Sequence, residues 1–170
     1  GKAEGIVVSD AQIDRRRNEI YKPLEHYKTY RNAIVAGSVN PHYINPKQGL
    51  DRLQKLMDEY CGGVTVNYMT NEKLLNIGLK KLKIMEEDLE NVAATDIHEL
   101  LRAWENYHRI LTAEAHMKHI QFREESRYPG FYYRADKNFI DEENWKCFVN
   151  SIYDKKTHQW TCFKRKHVDL

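Results

Sequence analysis

Apolar residues recur every three or four positions along the first 122 residues of the chain. That spacing places them on one face of a helix and divides this part of the chain into four predicted helices. The four apolar stripes are Ile13, Ile20, Leu24, Tyr27 and Ile34; Leu50, Leu53, Met57 and Tyr60; Leu75, Gly78, Leu82, Met85 and Leu89; and Ile97, Leu101, Trp104, His108, Leu111, Ala115 and Phe122.

The first predicted helix has a start signal and an interruption. Ser9 and Gln12 form a capping box, which satisfies backbone N–H groups at the start of a helix. Pro23 lies inside the helix and lacks an N–H, so we expect it to kink the helix near Glu19 or to split it in two. Gly37 is the predicted end of this helix.

The other three helices have start signals of the same kind, namely Asn45-Pro46, Thr70 or Asn71, and Asp96 with Glu99. Gly62-Gly63 supplies a left-handed stop after the second helix. Gly78, within the third stripe, predicts a close approach between two helices. Residues 64–69 are too short and isolated for a sheet, and we expect an extended connector there. The short link around residues 93–95 makes the third and fourth helices antiparallel neighbours in an up-and-down bundle.

Helical periodicity ends near Arg123. The remaining residues are rich in aromatic side chains, and residues 145–152 and 159–165 favour strands on either side of a turn at residues 154–157. The predicted fold is mainly α: an antiparallel helical bundle at residues 1–122, then an irregular, aromatic-rich extension with a β-hairpin at residues 123–170. We expect one structural domain, in which the rings of the extension are covered by the bundle, another domain or another chain.

Composition narrows the class of protein. Hydrophobic residues make up 41% and charged residues 31% of the chain, as in globular domains. The net charge of +2 gives no reason to expect a polyanionic partner. The sequence contains no run close to the ~20 apolar residues that span a bilayer, no signal peptide and no disulfide framework, so we expect a cytoplasmic protein.

Two alternative functions arise from histidines and basic clusters. Glu105-x-x-His108 has the spacing found in di-iron bundles, but a second such pair is missing, and His116 with His119 lacks a third ligand. A stand-alone metal-binding bundle is therefore one alternative. Residues 15–17 and 164–167 are basic, which makes a nucleic-acid-binding module the other. The absent second pair and the small net charge weigh against both.

Motifs that carry chemistry by themselves are absent from the sequence. It contains no nucleophile elbow and no glycine-rich phosphate loop. The sequence therefore predicts no catalytic, cofactor-binding or metal-binding residue in this chain.

The most specific segment, residues 123–136, follows directly on the fourth predicted helix. It contains three arginines, three acidic residues and four aromatic residues. Because a guanidinium group binds a carboxylate through two parallel hydrogen bonds, this density predicts a desolvated ion-pair network at an interface.

Three motifs in and after this segment resemble those of a known family. Glu125-Ser126-Arg127, Arg134-x-Asp136 and Asp141-Glu142-Glu143-Asn144-Trp145 occur in this order, as in the C-terminal domain of the succinate dehydrogenase and fumarate reductase flavoproteins. Residues 57–63, 104–107, 127–134 and 145–151 look more narrowly like the alpha subunits of dissimilatory adenylylsulfate reductases.

The resemblance implies that the chain is one piece of an oxidoreductase. Such alpha subunits bind FAD in domains upstream of this one, pair with an iron–sulfur beta subunit, and interconvert adenosine 5′-phosphosulfate with AMP and sulfite. By this resemblance the chain itself holds no cofactor, and its partners are the flavin-binding domain of the same subunit and the beta subunit. The residues expected to anchor it are Arg123, Glu125, Ser126, Arg127, Arg134, Asp136 and Trp145.

Overall fold

In the part of the chain that the computed structural model describes (residue 5 and residues 7–35, 43–127 and 133–166), four long helices precede a C-terminal hairpin. The predicted mainly α architecture is thereby confirmed. The helices are α1 (Asp10–Val35), α2 (Pro46–Tyr60), α3 (Glu72–Asp88), α4 (Ile97–Phe122) and the short α5 (Glu142–Trp145). The strands are β1 (Met69–Thr70), β2 (Tyr133–Arg134), β3 (Cys147–Asp154) and β4 (Gln159–Lys166).

Helix α1 begins at the predicted capping box. The backbone N–H of Ser9 donates to Gln12 Oε1 at 2.8 Å, and the backbone N–H of Gln12 donates to Ser9 Oγ at 3.3 Å. The predicted end at Gly37 and the side chain of Ile34 lie outside the described residues.

Pro23 does not split α1, so that alternative is wrong. The backbone around the proline is tied to the rest of the bundle instead. The carbonyl of Ile20 accepts a hydrogen bond from Trp104 Nε1 at 3.0 Å, and the carbonyl of Pro23 accepts one from the backbone N–H of Ala94 at 2.9 Å. These contacts tie α1 to α4 and to the segment before α4, close to the position where one N–H is missing.

Helices α2 and α3 begin where the sequence predicts. Asn45 and Gln48 exchange hydrogen bonds at the start of α2, and Asn71 Oδ1 accepts from the backbone N–H of Leu74 at the start of α3, at 2.9 Å. Gly62 has φ of +85°, the left-handed conformation that favours glycine and follows the end of α2. Local capping chemistry therefore sets these boundaries.

The hydrophobic core lies between α2, α3 and α4. Its buried members are Leu53, Leu56, Cys61, Leu75, Leu82, Met85, Ile110, Ala113, Met117 and Ile120. Gln121, at the end of α4, donates to Asn76 Oδ1 near the start of α3 at 2.9 Å. The two helices are therefore antiparallel, as predicted.

The buried face of α4 differs from the predicted stripe. The residues that are buried are Leu100, Ala103, Asn106, Ile110, Ala113, Met117 and Ile120. This face is displaced by one to two positions, about 150° around the helix, from the predicted one. Ile97 is 62% exposed, and Leu101 is similarly exposed. Small side chains such as Ala103 and Ala113 allow the helices to pack closely, which a count of large apolar residues does not reveal.

Gly78 marks the predicted close approach of helices. A Cβ atom at this position would lie 2.9 Å from Tyr60 Cβ and 2.8 Å from Met117 Cε. We expect Gly78→Val to lower the free energy of unfolding by about 1–3 kcal/mol, because the added atoms overpack the contact. Because valine has a higher helix propensity than glycine, a loss of stability would report the close contact rather than the helix itself. Urea denaturation measures the free energy of unfolding, and an equal loss in the exposed control Ile84→Val would contradict the role of the close contact.

Residues 64–69 do not form the predicted extended connector. Residues Val64–Val66 form a 3-10 turn, and β1 pairs in parallel with β2. The backbone N–H of Tyr133 donates to the carbonyl of Tyr68 at 2.9 Å, and that of Ala135 donates to Thr70 at 2.8 Å. The prediction was wrong because the partner strand follows α4, far beyond the range of a local pattern.

The predicted hairpin is confirmed as antiparallel β3 and β4, although Trp145 belongs to α5 rather than to the first strand. One face of the hairpin packs on α4. His119 Nε2 lies 2.9 Å from Ser151 Oγ, and Cys162 lies directly opposite Ser151 on the same face. The bundle thus covers one side of the extension. None of the helices in the described ranges is long and apolar enough to cross a membrane.

Candidate functional site

The residues that the sequence singles out meet where α4 ends and α3 begins. Glu125, with 0% of its side chain exposed, accepts from Arg123 at 2.6 Å and from both Nε and Nη2 of Arg127, at 2.6 and 2.9 Å. The backbone N–H of Asp141 donates to the same carboxylate at 2.9 Å. Arg127 also donates to Glu142 at 2.8 Å. The predicted desolvated ion-pair network therefore exists, and it lies within the chain.

Trp145 joins this network through its ring and its backbone. Arg123 donates to the carbonyl of Trp145 at 2.9 Å and to that of Cys147 at 2.8 Å. The guanidinium carbon of Arg123 lies 5.7 Å from the centre of the Trp145 ring, and Lys164 Nζ lies 3.5 Å from it. These cation–π contacts connect the end of α4 to β4.

Arg134 and Asp136 connect the ends of two helices. Arg134, 1% exposed, donates to the carbonyl of Ile120 in the last turn of α4 at 2.9 Å and to Glu72 at 3.0 Å. It also donates to Asp136, at 2.9 and 2.8 Å, and to the carbonyls of Gln121 and Arg123, at 3.2 and 3.4 Å. Asp136 accepts from the backbone N–H of Glu72 at 3.0 Å. A cation thus lies at the C-terminus of α4 and an anion at the N-terminus of α3, which suits both helix dipoles.

Ser126 holds the backbone between the two arginine clusters. Its Oγ accepts from the backbone N–H of Arg134 at 2.8 Å and lies 3.0 Å from the carbonyl of Lys137, to which it donates. Its own N–H donates to the carbonyl of Phe139 at 2.9 Å. The seven predicted anchoring residues therefore form one connected structure. Residues 128–132 of the same segment lie outside the described residues.

The charges of this site are fixed rather than available for proton transfer. Burial by itself would raise the pKa of Glu125, but hydrogen bonds from Arg127, the Asp141 backbone and Arg123 outweigh it and lower that pKa. The hydrogen bond from Arg134 lowers the pKa of Asp136 to about 2. The hydrogen bond to Glu125 raises the pKa of Arg127. These groups bind and position one another, and none is poised as an acid or base.

Sequence reasoning missed Glu72, Glu142 and Lys164 as members of this network. Glu72 binds Arg134, Glu142 binds Arg127, and Lys164 lies over Trp145. For Glu72 the hint was its acidic side chain at the start of α3, which is a weak signal since helix N-termini favour carboxylates for local reasons as well. Glu142 lies in the third family motif but was not assigned to the network.

The histidines on α4 do not form the metal site that the alternative reading requires. Glu105 pairs with Arg109 at 3.0 Å, and His108 is exposed rather than part of the buried stripe. His116 is exposed and His119 is partly buried, and the ring of His119 reaches Ser151 Oγ. Throughout the described ranges, no three His, Cys, Asp or Glu side chains come together to hold a metal ion.

Three members of the two basic clusters, Arg16, Arg17 and Lys164, are engaged within the chain. Arg16 pairs with Glu19 at 2.7 Å and Arg17 with Asp14 at 3.0 Å. Lys164 donates to the carbonyl of Asn144, while His167 lies outside the described residues. The nucleic-acid alternative is therefore not supported.

Two histidines of α4, His116 and His119, make stability depend on pH. Burial, followed by the charge of His119, lowers the pKa of His116, and burial, followed by the charge of Arg123, lowers the pKa of His119. The folded chain thus binds fewer protons than the unfolded chain, so its free energy of unfolding is highest above the ordinary histidine pKa and falls as pH drops through about 6.5.

We expect this loss between about pH 7 and pH 5, on either side of the ordinary histidine pKa, because the lowered pKa values of Glu125 and Asp136 keep those two carboxylates ionised over that window. Urea denaturation at several pH values measures it. The double variant His116→Gln with His119→Gln should show a flatter dependence over that window. An unchanged pH dependence in the double variant would refute the assignment to these imidazoles.

Sequence comparison gives two matches. Residues 50–170 match a family model described as fumarate reductase flavoprotein C-term. The chain is also 50% identical, over 151 residues, to the adenylylsulfate reductase subunit alpha of Megalodesulfovibrio gigas. That match covers 89% of this chain and 23% of the relative, so the chain spans about a quarter of the relative's length.

Comparison with solved structures agrees with these sequence matches. The structure of adenylylsulfate reductase from the hyperthermophilic Archaeoglobus fulgidus matches with a TM-score of 0.89 and 47% identity, over 97% of this chain and 26% of that one. The Sdh1 complex of Mycobacterium smegmatis matches with a TM-score of 0.70 and 18% identity, over 96% of this chain and 25% of that one. The second likeness concerns the fold alone.

Proposed function

This chain belongs to the family of fumarate reductase flavoprotein C-terminal domains, and we propose that it works as the C-terminal helical domain of an adenylylsulfate reductase alpha subunit. The resemblance drawn from the sequence motifs is confirmed, both for the family and for the likeness to this subunit. In the proposal, the whole cytoplasmic enzyme converts adenosine 5′-phosphosulfate to AMP and sulfite. This domain contributes packing and a subunit interface rather than a reacting group.

The cofactors of the proposed enzyme belong to its other parts. FAD would be held by the flavin-binding domain of the same subunit, where it supplies the electron transfer, and the iron–sulfur clusters by a beta subunit. This chain spans only 23% of the relative's length, which supports the assignment of the cofactors to other parts of the enzyme. The carboxylates and guanidinium groups of the site also saturate one another, which leaves a scaffold rather than a reaction centre.

The observation that carries the proposal is the buried ion-pair network. It joins α3, α4 and the hairpin through Glu125 and Arg134, so residues 1–122 and 123–170 would act as one domain. We assign to Arg123, Glu125, Ser126, Arg127, Arg134, Asp136 and Trp145 the role of holding the surface that meets the flavin-binding domain.

That surface, which we call the anchoring face, consists of Tyr68, Met69, Phe139 and Ile140. All four side chains are exposed. The face adjoins the network, because Tyr68 bonds Tyr133 through its backbone and Phe139 bonds Ser126 in the same way. Exposed apolar side chains grouped beside a rigid, buried network are typical of an interface.

The first experiment tests the network in the complete subunit. Arg127→Ala should lower flavin content and weaken docking of this domain, because Glu125 would lose two of its hydrogen bonds. Arg109→Ala, which breaks the exposed pair with Glu105 on α4, is the control. An Arg127→Ala subunit with wild-type stability, flavin content and turnover would overturn the anchoring role.

The second experiment separates the anchoring face from the stability of the domain. Ile140, 55% exposed, can be changed to Glu without touching the network, and Ile84, 54% exposed on α3, is the matched control. We expect Ile140→Glu to reduce flavin retention in the complete subunit while the melting temperature of the isolated chain stays unchanged. Equal flavin retention in both variants would place the interface elsewhere.

A further inference from the structure

Two consecutive residues in the turn before β1 have a left-handed backbone conformation. Asn67 has φ of 53° and Tyr68 has φ of 60°. Asparagine adopts this conformation readily, but for a bulky residue such as tyrosine it is an outlier that stores conformational strain. Glycine would adopt it without strain. The chain therefore keeps a tyrosine at a position where the backbone by itself favours glycine.

The surrounding structure holds this strained backbone in place. The N–H of Tyr68 donates to the carbonyl of Gly63 at 2.9 Å, and the carbonyl of Tyr68 accepts from the N–H of Tyr133, also at 2.9 Å. A Cβ atom at Gly62 would lie 2.9 Å from the carbonyl oxygen of Tyr68, so this segment packs closely on the turn after α2. Strained residues persist only where neighbouring contacts fix them in this way.

The side chain of Tyr68 is not what fixes the turn. It is 41% exposed, and its hydroxyl forms no hydrogen bond within the described ranges. The two bonds of Tyr68 that hold the turn come from its backbone, which any residue provides. What the strain maintains is therefore the position of an exposed ring. Strain of this kind is concentrated at functional surfaces.

Tyr68 differs from the other members of the anchoring face, to which it belongs. The side chains of Met69, Phe139 and Ile140 carry no hydrogen-bond donor, so Tyr68 supplies the one donor among these four side chains. A tyrosine ring adds apolar contact area at a low cost in conformational entropy, and its hydroxyl adds a directional hydrogen bond. This combination is typical of the residue that orients an interface.

The length of the relative indicates what meets this side chain. This chain spans 23% of the adenylylsulfate reductase subunit alpha that it matches, so most of the proposed subunit lies beyond the residues of this chain. In the proposed function, the part that adjoins the anchoring face is the flavin-binding domain.

We propose that Tyr68 is the residue of the anchoring face that positions the two domains. Its strained backbone presents the ring to the flavin-binding domain of the same subunit, and its hydroxyl donates a hydrogen bond to an oxygen atom of that domain. The ring supplies apolar contact, and the hydrogen bond sets how the two surfaces align. This inference rests on the proposed function and deepens it by naming the side chain on which docking depends.

A pair of variants in the complete subunit separates the side chain from the strain. Tyr68→Ala and Tyr68→Gly both remove the ring, but only glycine relieves the left-handed conformation. We expect both variants to release FAD at least about tenfold faster than the wild type, measured by the fluorescence of the released flavin. The glycine variant should melt about 1–3 °C higher than the alanine variant. Tyr68→Phe, which removes the hydroxyl alone, should release FAD about threefold faster.

Amide hydrogen exchange in the flavin-free subunit gives a second measurement that does not depend on the cofactor. Residues 138–141, in the other part of the anchoring face, should exchange at least about threefold faster in Tyr68→Ala than in the wild type, because the face is covered less of the time. Tyr107→Ala is the matched control, since it removes a 39% exposed tyrosine from α4. It should leave both FAD release and this exchange unchanged.

Four results would overturn the inference. They are wild-type FAD release in Tyr68→Ala, wild-type FAD release in Tyr68→Phe, equal losses in Tyr68→Ala and Tyr107→Ala, and a glycine variant that melts no higher than the alanine variant. The Ile140→Glu variant distinguishes this failure from that of the proposed function. If Ile140→Glu loses flavin and the Tyr68 variants do not, the anchoring face stands and only the role of Tyr68 is wrong. If none of them loses flavin, the proposed interface is wrong as well.

Discussion

Replacing Glu125 with alanine is expected to cost this chain about 3–5 kcal/mol of free energy of unfolding, the range for removing one partner of a buried ion pair. The carboxylate is fully buried and accepts from Arg123, Arg127 and the backbone of Asp141. Without it, Arg123 keeps only its carbonyl acceptors and Arg127 only Glu142, while the backbone N–H of Asp141 loses the carboxylate that it binds. The loss of the partner, rather than the small cavity, therefore dominates the effect.

Urea denaturation followed by circular dichroism measures this change. Glu125→Gln keeps the shape and one acceptor oxygen, so its loss should lie between those of the wild type and the alanine variant. Glu105→Ala removes an exposed carboxylate that pairs with Arg109, and it should cost less than about 1 kcal/mol. Similar losses for Glu105→Ala and Glu125→Ala would mean that the network does not stabilise the fold.

Arg134→Ala is expected to have a comparable effect, about 3–5 kcal/mol, for a different reason. The guanidinium group binds the carbonyl of Ile120 at the end of α4 and the carboxylates of Glu72 and Asp136 at the start of α3. Its removal leaves two carboxylates without their cation and the last turn of α4 without a donor. The relative position of the two helices would then be held by apolar packing and by the hydrogen bonds of Gln121 to Glu72 and Asn76.

A double-mutant cycle with Asp136→Asn tests the coupling. Because the two residues share two hydrogen bonds, the cycle should give a coupling energy between about 0.5 and 3 kcal/mol. Arg134→Met keeps most of the buried volume, so a loss close to that of the alanine variant assigns the effect to charge and hydrogen bonds. Additive losses across the cycle would show that Arg134 acts through Ile120 and Glu72 instead.

The network changes how the segment after α4 is understood. Its dense charges and rings predicted an interface, and the structure shows that the arginines and carboxylates bind one another and the bundle. The exposed apolar residues beside them, such as Met69 and Ile140, are what remains available for another surface. In the proposed role, the charged residues hold the anchoring face, while neighbouring residues that the motif did not include form it.

Local features of the sequence were predicted correctly. The capping residues Ser9, Asn45 and Asp96 begin helices because each side-chain oxygen bonds an N–H only a few residues away, which is chemistry that a short window contains. The hairpin also followed from two strand-forming stretches around a turn. The three motifs that carry the family resemblance were likewise visible without any structure.

Only the tertiary structure decided the long-range contacts. The buried face of α4 was predicted wrongly because Ala103 and Ala113 are chosen for close packing, not for hydrophobicity. The pairing of β1 with β2 and the bond between Glu72 and Arg134 join residues that are distant in sequence. Which carboxylate lies against which arginine depends on how the helices pack, and this packing energy is summed over the whole core. The sequence therefore determined the elements, their ends and the family, and the packed bundle determined which of their residues meet.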